Sequence, residues 1–398
     1  MVDIFLIMYL ILLLSLTAFN FASAENPDAE RDFMQVCTAH GYLVESHNVT
    51  TADGYILTLY RIPGKQGELP KPGKPAVFLQ HGLLDLSDTW IMNIPSPGFM
   101  FADAGFDVWF GNSRGSYHSL GNVNYDCWKD KAYWEFTWMQ MAEYDIPASI
   151  DYALQVSGQS KLTYVGHSQG TLIMFAHLSE HPEFIEKLNI FIALAPVGSV
   201  RHIDVEILQL LEKVPFFNLL DDLGIHSFLP NPNTPTLFYY ACDLLSLLCK
   251  DIAGVFADME VSQDNTERFP VILAHEPGGT SVMNMKHWQQ MINYNVYKVQ
   301  KYDYGTETNQ QVYGSPTPPL YNFTNIPGPI ALYFGTEDRL ADPIDGAWLR
   351  KTIPKESVVY MEDTLEFGHL TFLWGKDMSY FDGVINLARQ HSQSSTYE

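Results

Sequence analysis

The stretch Lys161–Leu178, KLTYVGHSQGTLIMFAHL, constrains this chain more than any other. Leu162–Val165 is a short apolar, β-branched run that ends at Gly166, and Thr171–Leu178 restarts with helix-compatible residues. Between them lies Gly166-His167-Ser168-Gln169-Gly170, a G-x-S-x-G pattern in a strand–turn–helix setting. A serine on so tight a turn has strained dihedrals, and only small flanking residues let strand and helix approach closely. The turn lifts Oγ above the sheet edge, while the following amide and the helix N-terminus face developing negative charge. An ordinary Gly-Ser turn is the bland alternative. Ser168 is the candidate nucleophile, and its assignment depends on partners elsewhere.

Those partners follow in order. A serine needs a base, and the base needs an orienting acid; on a sheet of this kind the acid follows the nucleophile and the histidine comes last. The apolar run Pro329–Phe334 leads into Gly335-Thr336-Glu337-Asp338-Arg339-Leu340-Ala341-Asp342-Pro343, an acidic loop at the carboxyl end of a strand, where sites in open α/β sheets lie. Asp338 is the best-placed acid, with Glu337 and Asp342 as rivals. A further strand, Ser357–Met361, precedes Glu366-Phe367-Gly368-His369-Leu370. His369 is the candidate base. An oxyanion needs two backbone donors: the Gln169 amide is one, and Leu83, in the loop after the strand Ala76–Gln80, is chosen as the other. His81, in the same loop, is read as shaping it, with a role as base as the alternative.

The rest of the chain fits a mostly parallel sheet flanked by helices. Gly41–Ile62 reads as a hairpin turning at Ala52-Asp53-Gly54, Asp107–Phe110 and Asn189–Leu194 as strands, and Trp138–Val156 as helix. From about Gly198 to about Asn325 the strand rhythm stops, and apolar helical stretches, prolines and aromatics take over. The expected organisation is a signal peptide over 1–24, a first part of an α/β core over 25–197, an inserted, mainly helical cap over 198–325, and the second part of the core over 326–398.

Compartment and partners follow from the termini and the charge. Ile4–Phe19 is apolar and is followed by Ala22-Ser23-Ala24, a cleavage pattern, although the first residues carry Asp3 and no Lys or Arg; an uncleaved anchor is the alternative. The mature chain is therefore expected in the secretory route, secreted or in the lysosomal lumen. The sequons at Asn48 and Asn322 suit that route. A formal net charge of −23 argues against nucleic acid and anionic membrane surfaces as partners, and no later stretch is apolar enough to span a bilayer. Four cysteines permit two disulfides. Cys37 and Cys127 can pair or stay thiols, whereas Cys242 and Cys249 would lie about 10 Å apart in a continuous helix and bond only if the segment bends back. No metal-ligand spacing occurs, and no cofactor is expected.

Several motifs carry a family resemblance: LQHGLL at Leu79–Leu84, GNSRG at Gly111–Gly115, YDIPASIDY at Tyr144–Tyr152, YVGHSQGT at Tyr164–Thr171, HEPGGTSVMNMKHW at His275–Trp288, LADP at Leu340–Pro343 and GHLTFLWG at Gly368–Gly375. In order and spacing, across essentially the whole mature chain, these resemble the gastric and lysosomal acid lipases, a family of α/β-hydrolases. The resemblance implies a Ser168–Asp338–His369 triad, an oxyanion hole of the Leu83 and Gln169 amides, a mobile lid in the cap, and neutral lipid esters as substrates. The expected partner is that lipid at a droplet or micelle interface, and the expected state is a monomer. A soluble carboxylesterase or acyl-thioesterase is the rival enzyme class, and a non-catalytic lipid-binding fold the rival outside catalysis. Two departures stand out. Thr371 occupies a position where the family often has Asp, and Cys242 and Cys249 are closer together than the family's usual cap disulfide. Arg114 and Asp145 fall in family motifs without an evident chemical step and are expected to buttress the fold.

Overall fold

A computed structural model describes residues 26–68, 71, 73–204, 216–230, 262–294 and 296–394. The signal segment, Cys242 and Cys249 lie outside these residues. The strands are β1 (Glu45–Thr50), β2 (Tyr55–Ile62), β3 (Ala76–Gln80), β4 (Asp107–Gly111), β5 (Gly121–Asn122), β6 (Leu162–His167), β7 (Leu188–Leu194), β8 (Ser227–Phe228), β9 (Thr280–Ser281), β10 (Ile330–Gly335) and β11 (Val358–Leu365). Among the described residues the main sheet runs β1-β2-β4-β3-β6-β7-β10-β11, with β5 added beside β2. Pairing is parallel from β4 through β11 and antiparallel at β1, β2 and β5.

Burial explains that division. Every residue of β3, β4, β6, β7 and β10 is buried, as expected of parallel strands covered on both faces, and their near-continuous apolar sequences follow from it. The edge strands β1 and β11 are mostly exposed or half-buried. The predicted hairpin forms, with Glu45 opposite Arg61 and Thr50 opposite Ile56. Its tip is held from the core: the buried Arg114 guanidinium pairs with Asp53 in the turn and with Asp145, and lies 3.9 Å over the Tyr55 ring. Arg114 and Asp145 are therefore structural, as expected.

The helices used below are α1 (Ile146–Ser157), α2 (Gln169–Glu180), α3 (Phe216–Asp222), α4 (Phe269–His275), α5 (Val282–Ile292) and α6 (Pro343–Thr352). The helix expected over Trp138–Val156 is not continuous: a π-helical turn, Met141–Asp145, separates a short first turn from α1. Such turns absorb an extra residue, and here Asp145 faces Arg114 as a result of where the turn ends. The insertion between β7 and β10 is not purely helical either, because β8 and β9 pair into a small antiparallel ribbon. No helix among the described residues is long and apolar enough to cross a membrane.

Candidate active site

Ser168 sits between β6 and α2 at φ 54°, ψ −121°, outside the regions open to ordinary L-residues. Its backbone is braced on both sides. Ser168 N–H donates to Leu194 O on β7, and Ser168 O accepts from the amide and the hydroxyl of Thr171 at 2.8 and 2.7 Å. The two glycines of the motif are required by space. A Cβ at Gly166 would lie 2.8 Å from the Gly170 carbonyl, and one at Gly170 would lie 2.5 Å from Gln80 O on β3. Strand, turn and helix can pack this tightly only without those side chains.

Asp338 follows β10 and His369 follows β11, so strand order alone brings both loops to the end of the sheet where Ser168 stands. His369 Nδ1 lies 3.0 and 2.9 Å from the two Asp338 carboxylate oxygens. Asp338 Oδ1 also accepts the Leu340 and Ala341 amides at 2.9 and 2.6 Å, which fixes the carboxylate. The rivals are elsewhere. Glu337 is exposed, and Asp342 caps α6 by accepting the Ile344 amide. His369 is tied to the residue before Ser168: His167 Nε2–H donates to His369 O at 2.9 Å, with the two rings 4.9 Å apart. Burial, together with the neighbouring His369, lowers the His167 pKa to about 3. It stays neutral and acts as a spacer. Ser168, Asp338 and His369 are all buried, at 7, 1 and 3% exposure, so the site is closed to bulk water in this conformation.

The loop His81–Leu86 after β3 passes directly over the serine: a Cβ on Gly82 would lie 3.1 Å from Ser168 Cβ. His81 shapes this loop. Its Nδ1 bonds Gly82 O at 2.8 Å and its Nε2 accepts the Ser113 amide at 3.0 Å, which occupies both ring nitrogens and leaves neither for proton transfer. Gln169 is the first residue of α2, so its amide belongs to the turn that a helix leaves without internal acceptors.

Residues missed by sequence reasoning lie in the insertion, which reaches the Ser168 turn, the loop carrying Leu83 and the loop carrying His369. Gln169 Oε1 accepts Trp288 Nε1–H at 2.7 Å and Asn284 Nδ2–H at 3.1 Å, both from α5. Gly278 N–H donates to Leu84 O at 2.6 Å. The Thr371 hydroxyl, two residues beyond His369, donates to the buried Asp264 at 2.7 Å. The departure at Thr371 therefore leaves the Asp338–His369 pair intact. Asn284 and Trp288 stood in a motif quoted for its resemblance, yet nothing in their spacing pointed to Gln169. The sequon residues Asn48 and Asn322 are both exposed. Cys37 is buried and Cys127 half-buried, both as free thiols. They do not pair.

Comparison with known proteins shows the family and the fold. Residues 33–94 match the family described as "Partial alpha/beta-hydrolase lipase region", and residues 75–376 the family described as "alpha/beta hydrolase fold". The chain is 39% identical to Lipase lipl-1 of Caenorhabditis elegans, over 94% of this chain and 96% of that one. It is 40% identical to gastric triacylglycerol lipase of Bos taurus, over 89% of each, and 40% identical to a putative lysosomal acid lipase/cholesteryl ester hydrolase of Crotalus adamanteus, over 88% of each. The chain belongs to the acid lipase family of α/β-hydrolases. Among solved structures, the soluble variant of monoglyceride lipase from Saccharomyces cerevisiae superposes with a TM-score of 0.53 at 12% identity, over 88% of this chain and 96% of that one, which shows the fold alone. The α/β-hydrolase fold of this acid lipase is thus found in a protein only 12% identical to it.

Proposed function

We propose that this protein hydrolyses neutral lipid esters, triacylglycerols and cholesteryl esters among them, through an acyl-enzyme on Ser168. The observation that carries the reading is the two-oxygen pairing of Asp338 with His369 Nδ1 beside a serine on a strained strand-to-helix turn. With Nδ1–H held by Asp338, His369 Nε2 has the lone pair to take the Ser168 proton as Oγ attacks the ester carbonyl. The Leu83 and Gln169 amides would receive the oxyanion. His369 returns the proton to the departing alcohol, then activates water to release the fatty acid. The names of the relatives support lipid esters as substrates. The apolar leader and the two exposed sequons support a secreted or lysosomal destination.

The test is hydrolysis of long-chain triacylglycerol and cholesteryl ester emulsions from about pH 4 to 8, beside a soluble short-chain ester and labelling of Ser168 by a fluorophosphonate. Activity confined to the soluble ester would point to a carboxylesterase. A folded chain that neither labels nor hydrolyses would point to lipid binding.

Part of the insertion is a candidate lid. Residues 262–294 are bonded to the Ser168 turn, to the loop carrying Leu83 and to the loop carrying His369, so α3 is the better mobile element. Phe217 packs with Val282 and Met285, and Leu220 packs against the same cluster, whereas Leu219 and Leu223 are 49 and 65% exposed. Leu220→Ser would therefore unpack the protein as well as change its surface; Leu219→Ser with Leu223→Ser is the cleaner pair. Two such leucines entering lipid contribute about 1 kcal/mol each, or roughly 30-fold in adsorption together. The double variant is expected to lose emulsion hydrolysis by about that factor while short-chain hydrolysis falls far less. Equal losses on both substrates would argue for a fixed cap.

A further inference from the structure

The direction in which the Gln169 N–H points is set by whatever holds the rest of its peptide plane. A trans peptide is flat, so the Ser168 carbonyl and the Gln169 N–H point in opposite directions, and turning one turns the other. At φ 54°, ψ −121°, Ser168 would relieve strain by rotating that plane toward an ordinary conformation. The Thr171 hydroxyl opposes the rotation. It donates to Ser168 O at 2.7 Å and accepts the Val197 amide at 2.9 Å, from the loop after β7. The other end of the plane, the Gln169 α-carbon, is restrained from the insertion through its side chain. Trp288 Nε1–H and Asn284 Nδ2–H converge on Gln169 Oε1 at 2.7 and 3.1 Å. An indole nitrogen only donates, and Asn284 is oriented by the Trp138 amide, which donates to its Oδ1 at 2.7 Å. Both groups therefore require an oxygen, and Gln169 can face them only one way. Thr171, Gln169, Asn284 and Trp288 are all buried.

We infer that Thr171, Asn284 and Trp288 are positioning residues of the oxyanion hole: the Thr171 hydroxyl aims the Gln169 amide through Ser168 O, and Asn284 and Trp288 aim it through the Gln169 side chain. The inference rests on the hydrolase reading above and gives none of the three a contact with substrate. Before attack, an ester carbonyl asks little of the amide. As its oxygen becomes an oxyanion, the hydrogen bond strengthens and its direction matters more. A badly aimed donor therefore lowers kcat and leaves KM nearly unchanged. The inference also changes what the insertion does. Asn284 and Trp288 both lie on α5, so the donor is fully restrained only while α5 is seated on the Ser168 turn. A lid that carried α5 with it would loosen the site it uncovers. The bonds to Gln169 come from α5 and not from α3, which leaves α3 free to move without that cost.

The test measures, on the full chain, kcat and KM for a soluble short-chain ester and Ki for an aliphatic trifluoromethyl ketone. The ketone takes Ser168 Oγ at its carbonyl carbon, the serine proton passes to His369, and the carbonyl oxygen is left as an oxyanion. Thr171→Val, which keeps the shape and loses the hydroxyl, should lower kcat by about tenfold to a hundredfold with KM little altered. Thr171→Ser, which keeps the hydroxyl, should recover most of that loss. Trp288→Phe should cost about threefold to tenfold, as for one buried hydrogen bond. Gln169→Met, which denies both insertion donors their acceptor, should cost at least as much, and adding Trp288→Phe to it should cost nothing further. In each variant Ki should rise by the factor by which kcat/KM falls, which a loss of stability alone does not produce. A Thr171→Val or Trp288→Phe enzyme with the parent kcat would overturn the proposal. So would losses that multiply in the double variant, or a Ki that stays at the parent value. Should Thr171→Val fail to fold, Thr171→Cys replaces it, because a thiol is only a weak donor. A folded parent that neither hydrolyses the ester nor labels with a fluorophosphonate sinks the hydrolase reading and this one with it. A parent that does both, beside variants as fast as itself, sinks this one alone.

Discussion

Ser168→Ala yields a folded protein whose ester hydrolysis has dropped by about 10⁴-fold or more. The fold survives because the turn is braced by the serine backbone, through Leu194 and Thr171, and these bonds do not involve Oγ. Alanine has the same Cβ, so the contact with the Gly82 loop is unaltered. What disappears is the hydroxyl oxygen on which we propose the acyl bond forms. Activity that remains should be no more than the two amides and the dry pocket can give to attacking water. Thermal unfolding and turnover measured on one preparation check both halves. Appreciable turnover in a well-folded variant would mean that the nucleophile is another residue.

Asp338→Asn should cost roughly 10³–10⁴ in turnover, and the hydrogen bonds say how. Oδ1 accepts the Leu340 and Ala341 amides, so the single oxygen of an asparagine must sit there. Its NH₂ then occupies the Oδ2 position, 2.9 Å from His369 Nδ1. Oδ1 is already taken by two amides, so Nδ1 turns acceptor to the nearer NH₂, although Oδ1 also lies 3.0 Å away, and the imidazole hydrogen moves to Nε2. A histidine in that tautomer cannot take a proton from Ser168. Asp342→Asn is the control: asparagine caps a helix about as well as aspartate, so α6 and turnover should change little. Loss of activity in Asp342→Asn with retention in Asp338→Asn would reassign the acid.

The readable parts of the chain were those where a local rule and the tertiary structure require the same residues. The glycines around Ser168 are demanded by contacts as close as Gly170 against Gln80 O, and such positions tolerate no other residue, so they spell a motif. The central strands were legible because burial on both faces leaves an unbroken apolar run. The choice of Asp338 over Glu337 and Asp342 followed from position in the acidic loop, and the structure pairs Asp338 with His369. The helix Phe33–Ala39 carried a readable signal in its Asp32 and Gln35 capping box that went unused. Other features had no local signature. A π-helical turn at Met141–Asp145 keeps the apolar spacing of an ordinary helix. The β8–β9 ribbon is two residues a side, too short for any alternation. The bonds from Asn284 and Trp288 to Gln169 cross more than a hundred residues of chain, and only the folded molecule brings them together.

The strand order also sets when in biosynthesis a working site can exist. A chain emerging N-terminus first forms β1 to β7 from its earlier part, and with them the turn that presents Ser168. The acid and the base wait on β10 and β11, the last two strands to be made, which add to one side of an already assembled sheet. Until those strands are made, the serine has neither Asp338 nor His369 beside it. The site assigned to Ser168, Asp338 and His369 is thus completed only by the later part of the chain, after the sheet around the serine can form.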